Sequence, residues 1–252
     1  MILEALNYAA TFPVTTPAHR PFIRSSVNLW SRARRCAKAW APHEDNTRGA
    51  ILAAASAAKP RRTAVVLGSG LLRDVPLRPL AAAFDTVVLI DLVHLASVRL
   101  WLGVQGLKNV RLIERDLSGY DALKAGQTPE PLDFLRRVPY LDLVISANLL
   151  SQIGRGVKRR LEKEPPGTLP EDAVARLIAA HIDGLHQLPA KTCLVTDTRF
   201  EVVDRTGAVR DAADLMAGVP LAAAKAEWNW PVAPLGEESR DYQIVHQVGA
   251  WF

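Results

Sequence analysis

Three short apolar runs in this chain each end in groups that could bind a polar ligand. The first run ends in Gly68-Ser-Gly70, and the next two end in Asp91 and Asp116. Glycines after a strand let the backbone approach a ligand closely, because glycine has no side chain. A carboxylate after the second strand can accept both hydroxyl protons of a ribose. Asp91 follows Gly68 by 23 residues, close to the spacing of about 20 that is typical of a nucleoside site.

Each of these features also has a purely structural interpretation. The glycine pair could form a tight strand-to-helix turn, Asp91 could cap a helix, and Asp116 could be a solvated turn residue. Their joint occurrence favours a ligand, because a turn, a ribose acceptor and an acceptor for an adenine amino group follow in the order that one nucleoside needs.

These groups can meet only if the apolar runs are parallel strands whose carboxyl ends share one edge of a sheet. Strand and helix patterns alternate through residue 197, which predicts right-handed crossovers with helices on both faces. The tail breaks that alternation and predicts a hairpin. The predicted fold class is α/β, a doubly wound, mostly parallel Rossmann-like sheet with an antiparallel C-terminal edge hairpin and a helical N-terminal extension. The predicted strands are 63–67, 86–90, 109–114, 141–148, 192–197, 201–204 and 242–248.

The first 45 residues are predicted to form a basic extension or lid, and residues 46–252 the Rossmann-like domain. Three prolines predict an irregular, extended segment over residues 1–24. Apolar residues at helical spacing then predict a helix from about Ser25 that Pro42 ends, and alanine-rich residues 46–58 predict a second helix.

The net charge of +5 is concentrated at the front of the chain, where ten Lys and Arg between His19 and Arg62 face two acidic residues. This segment could bind nucleic acid, with arginines on phosphates and tryptophans stacked on bases. However, both tryptophans fall on the apolar stripe of their predicted helix, which favours core packing. The residues concerned are Arg32, Arg35, Arg61, Arg62, Trp30 and Trp40.

Residues 46–200 resemble the class I S-adenosylmethionine-dependent methyltransferases. The resemblance rests on Val65-Val-Leu-Gly-Ser-Gly70, Val87-Val-Leu-Ile-Asp91, Ile113-Glu-Arg-Asp116 and Asp142-Leu-Val-Ile-Ser-Ala-Asn148. It implies S-adenosylmethionine as cofactor, with its methionine part at the glycine turn, its ribose at the second-strand acid and its adenine at the third-strand acid. The residues expected to line this site are Gly68, Ser69, Gly70, Arg73, Asp91, Leu92, Asp116, Leu117 and Ala147.

The glycine turn departs from the pattern of that family at two positions. Val66 stands where an acidic residue is common, and Leu72 stands where a third glycine is common. Arg73 could instead pair with the methionine carboxylate, and Asp74 with the amino group. The same departures keep open a Rossmann-like binding or assembly protein without catalysis. A dinucleotide site is disfavoured, because Arg73 would crowd a pyrophosphate.

Asn148 is the candidate catalytic residue, because strand ends at this place face the transferable methyl group in the family. Asn148 could orient an acceptor atom, with Gln152 one turn further on, although a helix cap is an equal alternative. The acceptor is expected to be a small molecule, with RNA as an alternative. His94 is expected near the adenosine, whereas surface or packing roles are favoured for His19, His43 and His246.

Composition predicts a globular, cytoplasmic protein that is not a membrane protein. Hydrophobic residues make up 49% of the chain, ample for a core, and no apolar run approaches the roughly 18 residues of a membrane span. Cys36 and Cys193 lack the spacing of a zinc site or a redox pair, so both are expected to be reduced packing residues and no metal is expected. The sequence leaves the oligomeric state open.

Overall fold

A computed structural model describes residues 2–165 and 167–252. Its centre is an eight-stranded sheet in the order β3-β2-β1-β4-β5-β8-β7, with β6 paired to β5 off this path. The strands are β1 Thr63–Leu67, β2 Thr86–Asp91, β3 Val110–Glu114, β4 Leu141–Ala147, β5 Lys191–Asp204, β6 Val209–Asp214, β7 Ala226–Ala233 and β8 Tyr242–Trp251.

The first five strands are parallel to one another where they pair, and the remaining three are antiparallel. β1 lies between β2 and β4, so the chain winds outward in opposite directions from this point. Ligands bind open α/β sheets in the crevice at such a switch point, outside the carboxyl ends of the strands. The predicted α/β class, with an antiparallel C-terminal edge, is confirmed.

β5 is longer than its predicted extent and serves two parts of the sheet. Residues 191–195 pair with β4 in parallel, whereas residues 194–204 pair with β8 in antiparallel across an irregularity between Asp197 and Arg199, and residues 199–203 also pair with β6. The predicted separate strand 201–204 is therefore the end of β5. Asp197 lies just before the irregularity, two residues beyond Val195, which pairs with Ala147 at the end of β4.

Helices cover both faces of the sheet. One buried cluster contains Ile51 and Leu89, and the other, on the opposite face, contains Leu67 and Leu177. The helices are α1 Ile2–Thr11, α2 Ile23–Arg35, α3 Ala37–Ala57, α4 Leu77–Ala83, α5 Ala96–Gln105, α6 Tyr120–Lys124, α7 Leu150–Leu161 and α8 Ala173–His186, with 3-10 helices at Phe12–Val14, Pro17–Phe22 and Asp133–Arg137.

Two predictions for the N-terminal region are wrong. The segment predicted to be irregular is helical over residues 2–14 and 17–22: Pro13 and Pro17 occupy early positions of 3-10 helices, where no amide donor is needed, while Pro21 lies inside the second of them. Met1 lies outside the described residues. The predicted helix end at Pro42 is displaced to Cys36, and Pro42 lies inside α3. A proline there removes only one backbone hydrogen bond near the start of a 21-residue helix.

α3 runs through the predicted boundary at residue 45 and packs against the sheet. Trp40 is buried, and its Nε1 donates a hydrogen bond of 3.2 Å to the carbonyl oxygen of Val232 in β7. One turn later, His43 and Glu44 are buried as well. The helix therefore delivers two polar side chains to the neighbourhood of the strand ends.

No helix formed by residues 2–165 or 167–252 has the length and apolarity needed to cross a membrane.

Candidate active site

The turn after β1 and the end of β2 are joined through Asp91. The amide of Gly70 donates a 2.7 Å hydrogen bond to Oδ2 of Asp91, and the amide of Leu92 donates one of 2.7 Å to Oδ1. Burial raises the pKa of Asp91 above its ordinary value, against the effect of these bonds. Each carboxylate oxygen has a further lone pair, so this carboxylate can still accept ribose hydroxyls.

The glycine turn has three residues in the left-handed region. Their φ angles are 73° at Gly68, 49° at Gly70 and 59° at Leu72. A Cβ at Gly68 would lie 3.0 Å from the carbonyl oxygen of Ala147, whereas one at Gly70 would meet only its own turn at 3.8 Å. Gly68 is thus required by packing against β4, while Gly70 borders open space that a ligand can approach.

Leu72 lies in the left-handed backbone region, with φ of 59°, which disfavours a leucine. Its side chain is buried in the same core cluster as Ile51 and Leu89, which offsets that cost. Val66 is fully buried in β1. Both side chains that depart from the family pattern are therefore part of the buried core.

Asp116 lies beyond β3 and is held by its own loop and by α7. Its Oδ1 accepts from the amide of Ser118 at 2.8 Å, and its Oδ2 accepts from Arg160 at 2.6 Å. Burial alone would raise the pKa of Asp116, but these hydrogen bonds outweigh it and the pKa is lowered. Leu117 beside it is buried. The predicted adenine acceptor is an ionised carboxylate that already has one cationic partner.

The N-terminal segment lies along the ends of β2 and β3. The amide of Thr16 donates to Glu114 at the end of β3, with a distance of 2.8 Å. The guanidinium of Arg160 lies 5.1 Å from the centre of the Phe22 ring. Thr11 also accepts from the first amide of α5, that of Ala96, at 2.9 Å. This segment is thus in contact with the end of β3, the start of α5 and α7.

Asn148 ends β4 in the left-handed region, with φ of 51°. Its Nδ2 lies 2.8 Å from Oδ2 of Asp74 and 3.2 Å from Nε2 of His43, and all three residues are buried or half-buried. Burial raises the pKa of Asp74 and lowers that of His43 to about 4. Gln152 donates to the carbonyl oxygen of Asn148 at 2.8 Å.

Asp74 and Arg73 have other partners than the sequence suggests. α4 begins at Leu77 without a side-chain cap, and the carboxylate of Asp74 accepts a hydrogen bond from Asn148. Arg73 forms a two-point ion pair with Glu44 of α3, at 2.5 Å and 3.2 Å. The cationic side chain of Arg73 is therefore bound to α3, and the acidic side chain of Asp74 is bound to the residue that follows β4.

Sequence reasoning missed a group of residues beside Asn148, all buried except the half-buried Trp228, which we call the histidine cluster: His43, Trp228, Trp230, His246 and Asp197. The His43 ring stacks on Trp230 at 4.0 Å between centres, and Trp228 Nε1 donates to His43 Nδ1 at 3.0 Å. Trp230 meets His246 edge-on at 5.7 Å. His246 in turn donates to Asp197. Because the members come from α3, β5, β7 and β8, no short sequence motif contains them.

Four of the buried polar atoms without a hydrogen-bond partner in the described part of the chain lie in the glycine turn, on Asn148 or in the histidine cluster. Two are acceptors, one is the indole donor of a tryptophan, and one is a hydroxyl. They are Asn148 Oδ1, Asp197 Oδ1, Trp230 Nε1 and Ser69 Oγ. Buried polar atoms normally have partners, so each of these atoms requires an explanation. The turn after β1, the end of β4 and the middle of β5 thus present groups suited to a polar ligand.

His94 follows β2, three residues after Asp91. Its ring is buried, and Nε2 donates to the carbonyl oxygen of Ile113 at 3.1 Å. Burial lowers the pKa of His94. A neutral imidazole that bonds the Ile113 carbonyl holds the loop after β2 against β3. We therefore assign His94 a positioning role and no role at the methyl acceptor.

No family model and no curated protein matches this chain. Solved structures do match it. One, described as a DhpI-SAM-HEP complex, is 15% identical over 87% of this chain and 94% of that chain, with a TM-score of 0.41. The N-terminal domain of EvdMO1 with SAH bound is 14% identical over 82% and 79% of the two chains, with a TM-score of 0.39. The 23S rRNA methyltransferase ErmE is 16% identical over 80% and 68%, with a TM-score of 0.33.

Proposed function

We propose that this protein is an S-adenosylmethionine-dependent methyltransferase that acts on a small molecule. The observation that carries the proposal is the bonded pair of Gly70 and Asp91 at the switch point of the sheet, with unpartnered buried polar atoms directly beyond it. A nucleoside ligand needs a ribose acceptor beside an open glycine turn. A nucleoside ligand that also carries a polar amino acid end needs further polar partners, which the unpartnered buried atoms would supply.

The residues present fit the cofactor along the edge of the sheet. Asp91 would hold the ribose hydroxyls, Leu92 would line that site, and Asp116 with Leu117 would bind the adenine. The methionine end would lie at Ser69 and Asp74, near the hydroxyl that lacks a partner. Arg73 is paired with Glu44, so it would bind the methionine carboxylate only if this ion pair opened. S-adenosylmethionine would supply an activated methyl group on a sulfonium.

Asn148 and Ala147 stand between this cofactor site and the histidine cluster. The left-handed backbone of Asn148 turns its side chain toward Asp74 and His43. Its free Oδ1 would orient the acceptor. Methyl transfer depends chiefly on alignment and exclusion of water, both of which a buried amide supports.

A small acceptor is favoured over RNA because several of the front arginines form ion pairs with carboxylates of the protein itself. Arg32 and Arg35 pair with Glu237 and Glu238, and Arg62 pairs with Asp142. Trp40 is buried, as the stripe of its helix indicates. A surface for phosphates needs cations that are free to exchange counterions. We also propose a cytoplasmic location, which the unpaired, buried Cys36 and Cys193 support.

Calorimetric titration with S-adenosylmethionine and with S-adenosylhomocysteine tests the proposal. We expect saturable binding of both at one site per chain. Absence of heat at millimolar ligand would leave a Rossmann-like protein without catalysis as the better account. A parallel titration with RNA at two salt concentrations tests the alternative acceptor, which predicts tight binding that weakens steeply with salt.

A further inference from the structure

Asp197 and His246 form a buried pair with a third partner on each side. Oδ2 of Asp197 lies 2.7 Å from Nδ1 of His246 and accepts from Ser151 Oγ at 3.0 Å. Nε2 of His246 lies 3.0 Å from an Nη atom of Arg155. Burial opposes ionisation of Asp197, but the bonds from His246 and Ser151 outweigh it and lower its pKa. Asp197 is therefore a carboxylate.

The two partners fix the proton on the imidazole ring. A guanidinium has donors and no acceptor, so the atom that faces Arg155 must carry a lone pair. A carboxylate accepts, so the atom that faces Asp197 must carry the proton. His246 is thus a neutral ring with Nδ1 protonated and Nε2 basic. A base oriented by a buried carboxylate is the arrangement that general-base catalysis uses.

The residue that faces Nε2 of His246 is a surface residue, Arg155. Arg155 is exposed on α7, while His246 beneath it is buried. Ser151, which bonds Asp197, lies one turn earlier on the same helix. A shift of the Arg155 side chain would free Nε2 from its hydrogen-bond partner, with the pair below still held by Ser151.

The pair lies at the same edge of the sheet as the proposed cofactor site. The amide of Asn148 donates to the carbonyl oxygen of Val195 at 2.8 Å, two residues before Asp197. The unpartnered oxygens of Asn148 and Asp197 therefore belong to adjacent strands, the first just after the end of β4 and the second in the middle of β5. His43, which carries no charge near neutral pH because burial lowers its pKa to about 4, bridges them through Trp230.

Resting on the proposed function, we propose that Asp197 and His246 take the proton from a hydroxyl group of the acceptor, and that Arg155 covers the base until that acceptor binds. The proton passes from the acceptor oxygen to Nε2, while this oxygen forms its bond to the methyl carbon and the electron pair of the broken C–S bond stays on sulfur. The imidazolium is stabilised by Asp197 and later returns the proton to water. An oxygen acceptor is the class that needs such a base, because a neutral amine attacks through its own lone pair.

The proposed test measures the protonation state and the chemical reactivity of the His246 ring in the intact protein. Nitrogen NMR of labelled histidines at pH 7 should show His246 neutral, with its proton on Nδ1. Carbethoxylation by diethyl pyrocarbonate, followed peptide by peptide, should be slow at His246 in the wild type. Arg155→Met should raise that rate about fivefold, the factor for a net hydrogen bond on the order of 1 kcal/mol. The exposed His186 serves as the internal reference.

Lys158→Met is the matched control, because Lys158 is an exposed cation on the same helix. It should leave the rate at His246 unchanged. A proton on Nε2, a charged ring at pH 7, or equal rates in Arg155→Met and wild type would overturn the proposal. S-adenosylhomocysteine binding is measured on the same samples, so that failure of the cofactor site is seen separately from failure of the base.

Discussion

The amide of Gly70 and the carboxylate of Asp91 are hydrogen-bonded at 2.7 Å, across the gap between the turn after β1 and the end of β2. This contact holds the turn in one position relative to the carboxylate. Because β1 lies at the switch point of the sheet, the contact also fixes the geometry of the crevice that we assign to the nucleoside.

Asp91→Asn should weaken S-adenosylhomocysteine binding about 10- to 100-fold, since hydrogen bonds to a charged group are worth roughly 1.5–3 kcal/mol. The amide keeps the size of the carboxylate but offers one acceptor oxygen instead of two. Asp85→Asn, at the exposed opposite end of β2, is the matched control and should bind normally. Calorimetry measures both, and equal affinities in the two variants would remove Asp91 from the ribose site.

Alanine at the two turn glycines should separate packing from ligand approach. Gly68→Ala places a Cβ 3.0 Å from a backbone oxygen and should lower the free energy of unfolding by about 2 kcal/mol or more. Gly70→Ala meets open space and should cost only about 1 kcal/mol, yet weaken S-adenosylhomocysteine binding. Urea unfolding and calorimetry provide the two readouts. Normal binding by a folded Gly70→Ala protein would show that no ligand approaches the turn there.

Asp142→Asn should reduce stability without affecting the crevice. Asp142 lies at the opposite end of β4 and accepts three hydrogen bonds from Arg62, which hold the pKa of Asp142 below its ordinary value. A lowered folded-state pKa contributes stability above the unfolded pKa of about 3.9, and this contribution is lost as the pH falls further. The urea midpoints of variant and wild type should differ at pH 7 and converge at low pH. A constant difference across that range would contradict this assignment.

Thr11→Val should loosen the N-terminal segment from the sheet edge. The variant keeps the side-chain shape but leaves the amide of Ala96 without its acceptor, which should cost about 1 kcal/mol. Hydrogen exchange at the start of α5 and proteolysis within residues 12–22 should both become faster. Ser25→Ala, which removes an exposed hydroxyl bonded only within its own segment, should change neither. Unchanged exchange in Thr11→Val would mean that this contact does not anchor the segment.

The sequence predicts the parallel half of the fold well, because strands β1, β2, β3 and β4 are short apolar runs flanked by turn residues. Asp91 and Asn148 could be placed at strand ends for the same reason. α1 and the 3-10 helices before residue 23 were missed, because prolines break helices only in some positions, and the end of α2 was misplaced because Pro42 lies where one lost hydrogen bond is tolerated.

The histidine cluster could not be predicted, because its members are far apart in the chain and meet only through sheet pairing. His246 reaches Asp197 because β8 pairs with the second half of β5, and His43 arrives on a helix that crosses β7. The partners of Arg73 and Asp116 are equally non-local. Side-chain spacing reveals which residues share a face, whereas these contacts depend on how distant elements pack.

A crystal structure with S-adenosylhomocysteine tests the central claim most directly. The proposed site predicts the nucleoside in the crevice beside Gly70, with both ribose hydroxyls within hydrogen-bond distance of the Asp91 carboxylate and the amino acid end toward Ser69 and Asp74. A ribose bound away from Asp91, or a ligand bound elsewhere on the protein, would contradict the account.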